Sequence, residues 1–100
     1  MTETDREQLK FAARAAGEWP SPEPFEHVLS RWNPLVNDGD AFRLAVKLRI
    51  DVDHYYVEVQ AKQDDIDPVY ELFSEHNDDP YAATRRAIVR AAAEIGRNMK

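Results

Sequence analysis

The stretch from Asp79 to Gly96 constrains this chain more than any other. Asp79 is a good helix N-cap, and Pro80 follows at N1, the helical position where a missing N–H is harmless. Behind them Tyr81, Thr84, Ile88, Ala91, Ala92 and Ile95 recur at helical spacing as an apolar stripe. Arg85, Arg86, Arg90, Glu94 and Arg97 decorate the exposed side, and Gly96 or Asn98 ends the helix, which is placed at 80–97. On this reading Ile88 belongs to the core and Arg86 to the surface. A long helix with one apolar face needs a partner layer, so the rest of a short chain has to supply it.

Two earlier helices are predicted. Over residues 1–17, Thr2 or Thr4 serves as N-cap, and Glu3, Asp5 and Glu7 lie near the positive pole. Leu9, Ala12, Ala13 and Ala16 form a narrow stripe closed by Gly17, with Phe11 adding bulk at its edge. Being Ala-rich, this stripe allows close approach but buries little area per residue. Over residues 38–49, Asp38 or Asp40 caps a helix whose stripe is Ala41, Leu44, Ala45 and Leu48. Phe42 and Val46 fall outside that stripe, so more than one side of this helix is expected to be covered. Residues 18–37 between the two helices are irregular. Pro20, Pro22 and Pro24 forbid a helix interior, while Phe25, Val28 and Leu29 suit one or two helical turns. Trp19 and Trp32 in this stretch read as lids over a core edge.

Over residues 50–76 the period changes to two. Ile50 and Val52 alternate with Asp51 and Asp53; then Tyr55, Val57, Val59 and Ala61 take up the opposite parity. One step of slippage would turn every side chain over, so a turn or bulge is predicted at Asp53-His54, with the main strand at 54–61. Residues 62–68 form a carboxylate-rich connection, and Val69–His76 reads as the partner strand. That segment places Tyr70 and Leu72 on one face and Val69 and Phe73 on the other, which predicts a sheet covered on both sides.

One hundred residues make a single domain of 1–100, and a composition that is 43% apolar and 32% charged is globular. The absence of cysteine excludes disulfides, thiol catalysis and thiolate metal sites, and suits a reducing cytoplasm. No apolar run approaches the roughly 20 residues that span a bilayer. The polar, acidic start is not read as a secretory signal. A net charge of −6 argues against nucleic acid as a partner, since phosphate binding needs surplus Lys and Arg. The arginines of the last helix read as a solvated face. Gly17, Gly39 and Gly96 are isolated, so no glycine loop can cradle a phosphate, and no cofactor is expected.

Carboxylates are the commonest chemical groups. Asp38-Gly39-Asp40 lacks the alternating oxygens and closing Glu of a calcium loop, and helix capping accounts for it better. Asp64, Asp65 and Asp67 lack a sharp-turn glycine and read as a solvated connection. His27, His54 and His76 lie in three different elements. His54 and His76 sit at the ends of the two strands, where a ladder could bring them face to face beside Asp53, Asp78 and Asp79 as a metal or acid–base site. Ordinary strand-end residues are the preferred account, and no metal is expected. Ser21, Ser30 and Ser74 lie outside any nucleophile elbow.

Trp32-Asn33-Pro34-Leu35, the run Asp38–Leu48 and the run Asp78–Gly96 resemble small proteins of tailed phages and prophages grouped as the phage ABA-sandwich type. The resemblance spans Trp19 to Gly96 and implies a phage or prophage origin, with a helix layer, a small antiparallel sheet and a second helix layer. It implies no established activity and no functional residues. Together with the two-faced strands, it yields an α+β domain with helices packed on a small antiparallel sheet, α/β/α sandwich-like. The expected role is that of an acidic, cytoplasmic, non-enzymatic accessory protein acting through contacts with an unidentified protein, such as inhibition of a host factor. Between Asp51 and Asp79 lie Asp51, Asp53, Glu58, Asp64, Asp65, Asp67, Glu71, Glu75, Asp78 and Asp79 against the single Lys62. Asp51, Asp53, Asp64, Asp65, Asp67, Glu71 and Glu75 are therefore the candidate partner-binding residues. The competing classes are a small metal-dependent enzyme using His54, His76 and the nearby aspartates, and a structural homodimer or higher homo-oligomer.

Overall fold

Helix α1 (Glu3–Ala16) opens on a capping box: the Thr2 hydroxyl accepts from the Asp5 N–H while the Asp5 carboxylate accepts from the Thr2 N–H. Gly17 closes it at φ 76°, the left-handed conformation a helix stop uses. The computed structural model describes residues 2–99; Met1, assigned to this helix from the sequence, lies outside the described residues. The proline-rich stretch carries one short helix, α2 (Phe25–Arg31), and Trp19 packs edge-on against Phe25 with ring centroids 5.6 Å apart. Helix α3 (Asp38–Leu48) is capped by Asn37, not by Asp38 or Asp40. Asp40 occupies N3, where its carboxylate turns back to accept from the Asn33 N–H at 2.8 Å, and Asp38 accepts from Arg85 at 2.7 Å.

Three antiparallel strands follow, β1 (Asp51–His54), β2 (Glu58–Gln63) and β3 (Ile66–Leu72), in the order β1-β2-β3. The change of parity at Asp53-His54 is resolved by a tight hairpin over residues 55–57, which splits the expected strand 54–61. Tyr55 and Val57, expected on a buried face, are 51% and 59% exposed because they belong to that turn. The polar connection shrinks to Asp64-Asp65, since Gln63 already pairs with Ile66. A 3-10 turn at Phe73–His76 takes the chain out of the sheet at Leu72, before His76.

Helix α4 (Pro80–Asn98) is the centre of the molecule. Asp79 caps it with Pro80 in the first turn, but the helix runs through Gly96. Ala83, Ala87, Ile88, Val89, Ala91, Ala92 and Ala93 are all buried, so apolar cover surrounds most of the helix. Tyr81, expected in the stripe, is exposed. One side of α4 meets Val59, Ala61 and Val69 of the sheet; the other meets Leu9, Ala12, Ala13 and Ala16 of α1, and α3 lies along its first half. The layers thus run sheet, α4, α1. The α+β class holds, with helices packed on a small antiparallel sheet and the α4 and α1 layers on its inner face. Among the described residues the outer face is covered only by its own side chains. There Gln60 is buried between tyrosines, accepting from Tyr55 and donating to Tyr70.

The α1–α4 seam is close. A Cβ built on Gly96 would lie 2.0 Å from the Phe11 carbonyl oxygen, so the two backbones would have to part to admit one. Arg86 reinforces the seam: it is half-buried, donating to Asp5 at 2.6 Å and Gln8 at 2.8 Å, and is not the bare surface residue expected. Burial raises the Asp5 carboxyl pKa, but the Arg86 hydrogen bond and charge, with Thr2, outweigh this and hold it below the ordinary carboxylate range.

Two predictions follow from the seam. Gly96→Ala should gain about 1 kcal/mol in helix propensity yet destabilise by about 2–3 kcal/mol net, through overpacking against an immovable backbone. A thermal midpoint equal to the wild type's would show that the seam is loose. Arg86→Ala should cost about 1 kcal/mol at neutral pH. Because Asp5 has a lowered folded pKa, the stability it contributes is present above about pH 4 and is lost as pH falls through that lowered value. The gap between variant and wild type in urea midpoints should therefore narrow as pH falls below about 4, and a gap independent of pH would exclude the Asp5 pairing.

Candidate functional site

Helix α3 turns Ala41, Leu44 and Ala45 into the core. Phe42 and Val46, four apart and on a different side of the helix, remain 68% and 61% exposed. They are the uncovered counterpart of the residues expected to meet a second layer. Across from them runs β1, whose alternation directs Val52 and His54 to the inner face. Tyr81, Thr84 and Ile88 of α4 lie between. These elements bound a mainly apolar groove of about 910 Å³, with Ala41, Ala45 and Ile88 buried at its base.

Polar groups at the groove are fixed by neighbours. The Thr84 hydroxyl donates to the Pro80 carbonyl at 2.6 Å, so its oxygen accepts from His54 Nε2–H at 2.8 Å. That assignment leaves Nδ1 as the ring's acceptor when the imidazole is neutral. Arg85 closes the α3 end, donating from Nε to the Leu35 carbonyl at 2.8 Å and from its guanidinium to Asp38. Arg49, in a left-handed C-cap conformation, stands where α3 passes into β1, and the Ile50 N–H beyond it donates to the Ala45 carbonyl at 2.9 Å.

Hydrogen-bond parity defines the rim. The Tyr55 N–H donates to the Glu58 carbonyl at 2.8 Å, in the same register that pairs Asp53 with Gln60 and Asp51 with Lys62. In an antiparallel ladder these alternate residues turn their N–H and C=O toward β2, so Val52 and His54 turn theirs to the open edge beside the groove. The opposite edge of the sheet is obstructed at two points. The Phe73 N–H donates to the Val57 carbonyl, which turns Pro68, Tyr70 and Leu72 outward. Pro68 has no N–H, and the Tyr70 carbonyl accepts from Arg90 at 2.9 Å.

The candidate acidic residues do not form one surface, because strand alternation and the two hairpins separate them. Asp51 and Asp53 lie on the outer sheet face beside the open edge. Asp53 pairs with Lys62 at 3.3 Å, and this hydrogen bond and charge raise the Lys62 pKa. Asp64 and Asp65 form the β2–β3 turn, where the Asp65 N–H donates to Gln63 at 2.7 Å. Asp67 joins Asp64 and Asp65 in lining a polar cleft of about 760 Å³ with Arg90 and Arg97. Glu71 points inward and accepts from both Arg90 and His76, its side chain only 12% exposed. Glu75 is exposed on the 3-10 turn. Nor do the strand-end histidines meet. His54 and Glu71 flank Val59 on either side of β2, and His76 sits beyond Glu71. Two strand spacings, about 10 Å, therefore separate the two sites. Among the described residues no three His, Asp or Glu side chains are grouped to hold a metal ion. The arginines of α4, expected to be solvated, are engaged: Arg85 with Asp38, Arg86 with Asp5, Arg90 with Glu71, and Arg97 with Glu7 and Glu94.

Sequence reasoning placed the binding chemistry in carboxylates and missed Phe42, Val46 and Tyr81. The signal for the first two was present in their position off the apolar stripe of α3. No helix among the described residues is long and apolar enough to cross a membrane. Comparison with protein-family models, curated proteins and solved structures finds no match to this chain.

Proposed function

We propose that this chain is a non-enzymatic accessory protein that holds a protein partner in the groove between α3 and β1. Its resemblance to small phage and prophage proteins supports a cytoplasmic role in an infected or lysogenic bacterium. The observation that carries the reading is the joint exposure of Phe42, Val46 and Tyr81 around one apolar groove. Scattered apolar side chains are normal on a surface; three large ones on a single concavity mark a binding site. Asp51 lines this groove and Asp53 follows on the outer face of the same strand, so part of the acidic surface adjoins the site. Asp64, Asp65 and Asp67 belong to the β2–β3 turn and β3.

Affinity capture from host lysate with matched variants separates the groove from the acidic turn. Phe42→Ser with Val46→Lys should lose the captured partner at least tenfold. Its thermal midpoint should stay within about 4 °C of the wild type, since both side chains are mostly exposed. Reversal of Asp64, Asp65 and Asp67 to Lys should leave capture largely intact. Capture that survives the first change and vanishes with the second would move the site to the acidic turn.

A further inference from the structure

We infer that the partner enters as a fourth strand. An extended segment of a different protein adds to the open edge of β1, with apolar side chains entering the groove and basic side chains lying on the outer sheet face. This inference rests on the groove reading above and adds what the groove recognises. Its first support is the contrast between the two edges. Proline and an arginine–carbonyl bond obstruct the middle of β3, leaving Leu72 at its end, whereas Val52 and His54 of β1 both direct their N–H and C=O groups outward among the described residues. Its second is that this edge runs beside the apolar groove, so each alternate side chain of an added strand would enter it. The strand is short: the Ile50 N–H is already held by Ala45, and the hairpin turns the chain away at Tyr55. Val52 and His54 together offer four hydrogen bonds, enough for a segment of about five residues.

The charge pattern selects the partner. Asp51, Asp53 and Glu58 share the outer face with Lys62, leaving it negative. A second copy adding through β1 would place Asp51 opposite Asp53, or Asp53 opposite Asp53, in the two registers that use the whole strand. Those pairs are the closely spaced, non-hydrogen-bonded kind, where like charges are most unfavourable. A segment with Lys or Arg at the two positions facing Asp51 and Asp53 turns the same contacts favourable. More than two basic positions would bring a cation toward Arg49, so the matching sequence alternates apolar and basic residues with polar ends.

The probe is the capped peptide Ser-Leu-Lys-Val-Lys-Leu-Ser, titrated at low salt and followed by backbone NMR. Binding should perturb Phe42, Val46 and Tyr81 and slow hydrogen exchange at the Val52 and His54 amides. N-methylation of the central valine, whose N–H would face β1, should weaken binding at least about tenfold. N-methylation of a lysine, whose N–H faces away, should change it less than about threefold. Replacing both lysines with glutamate should also weaken it at least about tenfold. Val52→Pro, which imitates Pro68 on the other edge, should abolish binding while the fold persists. Should the proline unfold the domain, the methylated peptides still decide the matter. Equal sensitivity to methylation at both parities, with the groove resonances still perturbed, would overturn strand addition and leave the groove reading intact. Absence of saturable binding would overturn the inference as well, while the groove reading is judged separately by the capture variants.

Discussion

The close approach of α1 and α4 is the constraint on which the rest of this molecule depends. Alanine buries little area, so a seam of Ala12, Ala13 and Ala16 against the alanines of α4 gains its stabilisation by shortening distances over many atoms. Gly96 marks a point where even one methyl group has no room. Because α1 comes so near, α4 can be covered on its opposite side by the sheet and along its first half by α3. The groove exists because those two covers do not meet. Its base is Ala41 and Ala45 of α3 with Ile88 of α4, and Tyr81 stands exposed at its rim.

Ion pairs arrange themselves around the same helix. Arg85 ties α4 to the start of α3, Arg86 ties it to α1, and Arg90 ties it to β3 through Glu71 and the Tyr70 carbonyl. Pairs of this exposure contribute little individually. Their larger effect is geometric: each holds one neighbouring element at a set position along α4, and Arg90 also occupies the Tyr70 carbonyl on the β3 edge. An arginine row that reads in sequence as a solvated helix face is instead the set of fastenings between layers.

Local signals in the sequence were faithful where the physics is local. The Asp79–Pro80 cap, the Thr2 cap and the Gly17 stop depend on neighbouring residues, and all are found. The parity change near Asp53 was legible as a break, but not as a hairpin, because Tyr55-Tyr56-Val57 lacks Gly or Asn and reads as strand. Tyr70 and Leu72 suggested a second covering layer, yet their company is Gln60 and Tyr55 on an open face. The groove was hidden for a related reason. An apolar residue off a helical stripe predicts cover, and only the three-dimensional arrangement reveals that Phe42 and Val46 stay mostly exposed among the described residues. Strand alternation likewise placed Glu71 beneath the sheet and Asp53 above it, dividing carboxylates that look clustered in sequence.

The central claim is that β1 presents an unpaired edge to the groove while its other side is bonded to β2. Residue-resolved amide exchange on the free protein tests this most directly. Along β1 the Asp53 and Tyr55 amides should exchange slowly, and the intervening Val52 and His54 amides should exchange faster by at least about tenfold, an alternation set by hydrogen-bond parity alone. Protection of Val52 and His54 equal to that of Asp53, independent of protein concentration, would mean that this chain already closes its own edge, and the account of the groove would fail.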